Sequence, residues 1–187
     1  SMAELEGFLE LPFPLTIAVL PGLPHSAEAA RAVRAAGKEL ILHQPMDALG
    51  GQDTGPGAIA AGASPEDAAR ILGATLDGLP GAAGVNNHMG SAVTTDPIIM
   101  RAVAAVAKER GIYYLDSLTI PGTASHEAAL REGIRYWERD VFLDNSPDRA
   151  SIIRAVQDGK KRADSGRPAV MIGHVWSSQL AQAIMDL

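Results

Sequence analysis

Three of the five histidines in this 187-residue sequence lie at or near the end of an apolar run. They are His43 after Leu40-Ile41-Leu42, His88 after Val85-Asn86-Asn87, and His174 after Met171-Ile172-Gly173. Asp116 ends a similar run, Ile112-Tyr113-Tyr114-Leu115, and Arg139-Asp140 and Asp144-Asn145 flank another. Neutral imidazoles with a carboxylate are a donor set suited to zinc, which in hydrolases takes three protein ligands and keeps a fourth position for water. Such a metal polarises an acyl carbonyl and lowers the pKa of its water, so hydrolysis of an acyl group is the chemistry these residue types could serve. Each residue also has a plainer reading. Asp116 could cap the turn after it, and Asn86 and Asn87 could be turn residues in left-handed geometry. Arg139 and Asp140, being adjacent on a strand, would point to opposite faces. His25 and His126 fall at helix starts and read as peripheral.

Other chemistries lack their signatures. The sequence has no cysteine, which removes disulfides, thiolate metal sites and cysteine nucleophiles. It has no G-x-S-x-G elbow, no Gly-Lys-Ser/Thr phosphate loop and no G-x-G-x-x-G. The glycine-rich stretch 50–62 therefore reads as a mobile rim loop.

The elements that must position these residues alternate strand and helix. Strands are expected at Leu15–Leu20, Glu39–His43 (ended by Pro45), Gly84–Asn87, Ile112–Asp116, Arg135–Phe142 and Ala169–His174. Ser26 can cap a helix through Ala36, with Gly37 as its stop. Ser64-Pro65-Glu66-Asp67 is a helix start with cap, N1 proline and first-turn acids, followed by Ala68, Ile71, Leu72, Thr75, Leu76 and Leu79 at helical spacing. Further helices are expected from Asp96-Pro97 to Gly111, near Ser125–Arg131, from Ser146-Pro147-Asp148, and over Ser177–Leu187. Glu4–Leu11 reads as helix or loop. Strands alternating with helices of this length give a single α/β domain on a parallel sheet, whose ligands gather at the carboxyl ends of the strands. Six strands are short of an eightfold barrel, which takes about 250 residues.

Apolar residues make up 47% and charged residues 20%, which supplies a core and argues against disorder. With 16 Lys+Arg against 22 Asp+Glu the formal charge is −6, and Lys160-Lys161-Arg162 is the one basic run. A nucleic-acid groove or polybasic membrane patch is disfavoured. No stretch approaches the roughly 18 apolar residues of a membrane span. No basic–apolar–small leader pattern occurs, and Ser1–Met2 reads as a tag-cleavage scar, which leaves room for a leader upstream.

Several of these runs, taken together, resemble one family. They are 36–46 (Ala-Gly-Lys-Glu-Leu-Ile-Leu-His-Gln-Pro-Met), 84–91 (Gly-Val-Asn-Asn-His-Met-Gly-Ser), 114–117 (Tyr-Leu-Asp-Ser), 139–145 (Arg-Asp-Val-Phe-Leu-Asp-Asn) and 172–174 (Ile-Gly-His). The chain is similar to the divergent polysaccharide deacetylases, relatives of the NodB-type carbohydrate esterases, from about Leu11 onward. The resemblance implies a distorted seven-stranded β/α barrel, with one strand missing upstream of this chain. It implies a divalent metal, most often zinc, and removal of acetyl groups from a glycan. By position, His43 and His88 would be metal ligands and His174 a general acid. Asp116 and Arg139 would line the pocket, and Asn86, Asn87, Asp140 and Asp144 would contact substrate. Asp47 falls where the wider NodB-type enzymes carry a second motif histidine.

One feature of the family is absent. Its members open with a strand ending in an Asp-Asp pair that supplies base and ligand, and no such pair occurs here. Metal binding and turnover are therefore expected to be impaired in this chain. A non-catalytic glycan-binding or envelope-interaction domain is the competing expectation. The family setting implies an extracytoplasmic location, and the bare strand edge implies cover by Glu4–Leu11, an added segment or a second copy. Trp137 and Trp176 are the only tryptophans available for sugar stacking, with core or rim packing the expected role of both.

Overall fold

Alternation of apolar runs with 3.6-period stretches is borne out by the computed structural model, which describes residues 2–177 and 179–186. In chain order the elements are α1 (Met2–Leu9), β1 (Thr16–Val19), α2 (Ser26–Ala35), β2 (Glu39–Met46), α3 (Pro65–Asp77), β3 (Gly84–Met89) and α4 (Pro97–Glu109). They continue with β4 (Tyr113–Asp116), α5 (Ser125–Glu132), β5 (Tyr136–Glu138), β6 (Val141–Phe142), α6 (Arg149–Asp164), β7 (Met171–Ile172) and α7 (Leu180–Met185). The chain divides into two compact units. One is Leu15–Trp137, and the other, the terminal unit, comprises the described residues before and after it.

In Leu15–Trp137 the sheet order is β1-β2-β3-β4, with β5 next in line, and the β1–β2, β2–β3 and β3–β4 pairs are parallel. Leu40, Ile41 and Leu42 are all buried, as expected of an inner parallel strand covered on both faces. Helix α4 shows why the helices cover the sheet. Ile99, Met100, Val103, Ala104, Val106 and Ala107 recur at helical spacing and are all buried. The Ser64 hydroxyl accepts from the Asp67 N–H, and the Asp96 carboxylate accepts from the N–H groups of Ile98 and Ile99, so both local start signals act as caps. In the terminal unit β6 and β7 form a parallel pair, and α6 packs against β6 and α7.

The α/β class expected from the sequence is what the structure shows, with differences in detail. Strand β2 runs through Pro45 to Met46. The reason is that β1 ends opposite Leu42, so the missing N–H of Pro45 faces a side where only its carbonyl is used, by the Ile59 N–H at 2.9 Å. The expected strand 135–142 is two strands. The N–H groups of Asp140 and Val141 both donate to the Val170 carbonyl (2.8 and 3.1 Å), which ties this part of the chain to β7 at the start of β6. Ser26 is not a cap. It is the first helical residue, and its hydroxyl donates to the Leu20 carbonyl at 2.6 Å.

The glycine-rich stretch 50–62 is anchored in its second half. Ile59 bridges to Met46 and is fully buried, and the Gln44 amide donates to the Gly57 carbonyl at 2.8 Å. The closing helix is confined to Leu180–Met185, and Ser178 and Leu187 of the expected span lie outside the described residues. Among the described residues no helix is long and apolar enough to cross a membrane.

Candidate active site

The register of β2 on β3 decides what meets at the carboxyl edge of the sheet. His43 pairs with Asn86 and Pro45 pairs with His88. Side chains two apart share a face, so His43 and His88 are diagonal neighbours on one face. Their nitrogens close to 3.1 Å, His88 Nδ1 to His43 Nε2, with ring centroids 4.8 Å apart at 65°. Both rings are partly exposed.

Behind His43 a hydrogen-bond chain fixes its tautomer. The Ser117 hydroxyl donates to the Asn87 carbonyl at 2.8 Å, so its oxygen accepts from the Asn86 amide at 3.2 Å. That orients Asn86 Oδ1 toward His43 Nδ1, 2.9 Å away, which must then carry the proton and donate. His43 Nε2 is left as the lone-pair nitrogen, facing His88. Ser117 was not singled out in the sequence. Its position just past a strand end, opposite an asparagine, was the available signal.

Asn87 and Asp116 belong to the other face. Val85 pairs with Tyr114, so alternation puts Asn87, Tyr114 and Asp116 together, away from the histidines. Asn87 Oδ1 accepts from the Ser117 N–H (2.9 Å) and the Tyr114 hydroxyl (3.3 Å). Asp116 is fully buried. Its Oδ1 accepts from the Leu118 N–H at 2.8 Å and its Oδ2 from the Thr123 hydroxyl at 2.7 Å. These two side chains hold the turns after β3 and β4, where Met89 (φ 55°) and Leu118 (φ 47°) adopt left-handed backbone. Non-glycine residues there cost roughly 1–2 kcal/mol each. Asn87 donates to the Met89 carbonyl at 2.7 Å, and Asp116 receives the Leu118 amide, so the strain is held in place beside the histidine pair.

His174, Arg139, Asp140 and Asp144 belong to the terminal unit. Asp144, whose side chain is 1% exposed, accepts from the His174 N–H at 2.9 Å, and its other oxygen lies 3.2 Å from His174 Nδ1. Asp140 braces β6 against β7: one oxygen accepts from the Val170 N–H at 2.8 Å, the other pairs with Arg162 at 2.6 Å. The Arg139 guanidinium lies over the Phe142 ring. His25 is exposed beside Glu28, and His126 lies against Tyr136.

Sequence comparison bears on this arrangement directly. The sequence profile of the family described as divergent polysaccharide deacetylase matches residues 1–186. This chain belongs to that family. The deacetylase-family chain is 32% identical over 166 residues to the uncharacterised protein YibQ of Escherichia coli K12, covering 89% of this chain and 52% of that protein. It is 27% identical over 173 residues to an uncharacterised protein of Haemophilus influenzae Rd, covering 92% of this chain and 62% of that one. It thus spans about half to three-fifths of the curated relatives it matches. Among solved structures, an uncharacterised protein of Agrobacterium tumefaciens C58 superposes with a TM-score of 0.88 at 20% identity, covering 97% of this chain and 76% of that one. A lactam utilization protein of Thermus thermophilus gives 0.64 at 20% identity, with 97% and 87% covered. At that identity these two speak for the fold alone.

A divalent metal is the expectation drawn from the resemblance, and the donor set present would fit one only in part. Two zinc–nitrogen bonds of about 2.0–2.1 Å at a tetrahedral angle place the nitrogens about 3.3–3.4 Å apart. The 3.1 Å between His43 and His88 is close to that span. Among the described residues no group of three His, Asp or Glu could hold a metal ion. Asp47 is committed elsewhere: its Oδ2 accepts from the Ala61 N–H at 3.0 Å.

Proposed function

We propose that this chain carries the two-histidine part of a metal-dependent deacetylase site acting on an acetylated polysaccharide or cell-envelope glycan, and that it turns over little substrate by itself. One observation carries the reading: His43 and His88 meet at 3.1 Å at the carboxyl edge of a parallel sheet, in a chain of the divergent polysaccharide deacetylase family. A divalent metal, zinc first, would polarise the acetyl carbonyl and acidify a water when bound. The chain's own contribution is two oriented nitrogens. His43 is held by Asn86, which Ser117 orients in turn. The extracytoplasmic setting belongs to the same proposal.

A second reading has its own support. Because the described residues complete no three-ligand group, a glycan-binding domain without turnover fits the chain as well as an impaired enzyme does. Acetate release separates them. With N-acetylated chito-oligosaccharide and added zinc, the 187-residue chain should release little, since loss of a general base alone costs about 10²–10⁴-fold. A longer form carrying a strand that ends in Asp-Asp should release acetate in a zinc-dependent manner, and His88→Ala should abolish that gain. If the longer form is inert with zinc, the hydrolytic reading fails and the binding reading stands.

A further inference from the structure

The terminal unit contains an aromatic column whose outermost ring, Trp176, the hydrolytic reading does not use. Phe142 and His174 have ring centroids 5.2 Å apart, and His174 and Trp176 stack at 4.5 Å with planes inclined by 21°. His174 cannot slide, because Asp144 takes both its backbone N–H and its Nδ1 side. Trp176 ends the column, and although one indole face rests on His174, the residue is 63% exposed. Exposure of that size requires the second face to be open to solvent. Packing, the role expected of Trp176 from sequence, accounts for one face only.

We propose that the open face of Trp176 is a stacking platform for one pyranose ring of the glycan, with His174 as its rigid backing. The inference rests on the glycan reading above but not on the metal. The physical basis is that axial C–H groups of a sugar ring carry partial positive charge, which the negative face of an indole attracts, while its apolar area is withdrawn from water. A side chain pinned by a stacked neighbour loses little rotamer entropy on binding, which favours a platform over a free tryptophan. The size of the surface selects the occupant. One aromatic side chain offers at most about 150–250 Å², less than the several hundred Å² of contiguous apolar surface that marks a protein interface. It matches a single ring of the polymer class for which the family is described.

The two tryptophans make the test specific, since Trp137→Phe leaves Trp176 as the sole indole. That variant is titrated with N-acetylchitotetraose in the presence of a chelator, so that no metal contributes. A saturable blue shift of its emission is expected. By calorimetry, Trp176→Ala should bind about tenfold more weakly, a difference of about 1.4 kcal/mol, and Trp176→Phe should stay within about threefold of the parent. An absent shift, or equal affinity for Trp176→Ala and the parent, overturns the platform whatever the acetate assay shows. A shift in this chain, together with a longer Asp-Asp-bearing form that stays inert with zinc, overturns the hydrolytic reading and leaves the platform standing.

Discussion

His43 Nε2 lies 3.1 Å from His88 Nδ1 across 45 residues of sequence, because β2 and β3 pair in a register that sets His43 opposite Asn86 and Pro45 opposite His88. A slip of one residue in that register would send the two imidazoles to opposite faces. The buried run Leu40–Leu42 and the closely packed Gly84 hold it. A Cβ at Gly84 would come within 2.6 Å of the Tyr113 ring, so this strand start admits no side chain without displacing its neighbour.

The relay behind His43 makes the first prediction. Asn86→Ala removes the acceptor for His43 Nδ1 and leaves the Ser117 hydroxyl without its donor. Loss of one such buried hydrogen bond costs about 1–3 kcal/mol. Nitrogen NMR of the imidazoles should show His43 protonated on Nδ1 in the parent and a tautomer mixture in the variant. Unchanged nitrogen shifts would mean that Asn86 does not set the tautomer.

The second prediction concerns alkaline pH. Burial, and then the Glu39 carboxylate to which it donates at 2.6 Å, holds the Tyr113 phenol above its ordinary range. Complete burial, followed by the nearby Asp116 charge, does the same to Tyr114. A raised folded pKa means that the native state keeps a proton that the unfolded state releases. The stabilisation is full below about pH 10, the unfolded tyrosine value, and is lost as pH rises beyond it. Phenolate absorbance of these two residues should therefore appear together with loss of ellipticity. Their ionisation in a still-folded protein, with the ordinary midpoint, would contradict this.

Gly173 tests the support of His174. A Cβ there would meet Leu180 Cδ2 at 2.6 Å and Leu143 Cβ at 3.4 Å. Gly173→Ala should destabilise by about 1–3 kcal/mol through overpacking, and the shift should displace His174 from Asp144. Urea unfolding measures the first effect and the His174 ring NMR chemical shifts the second. Parent-like values in both would show that the α7 contact yields freely.

What was legible from sequence was what is decided locally or by simple alternation. Ser64 and Asp96 announce their helices because a cap bonds within three residues of itself. His43 and His88 could be placed at one strand edge because each closes a run that only a strand explains. Pro45 misled, because whether a strand tolerates proline depends on where its neighbour stops, and β1 stops at Val19. The break at Arg139–Asp140 depends on a carbonyl 30 residues away, that of Val170, which no local pattern shows. Asp116 reads as a strand-end acid, yet its face follows from the β3–β4 register, and that register directs it to the Leu118 turn. Trp176 reads as packing because composition says nothing of which face of an indole is covered.

If His43 and His88 act as one metal-binding pair that needs further ligands, as proposed, zinc titration of the 187-residue chain tests it most directly. The titration is followed by calorimetry at neutral pH. Weak one-to-one binding is expected, abolished equally by His43→Ala and by His88→Ala. Tight binding that survives either substitution would contradict the pairing, since the ion would then be held elsewhere.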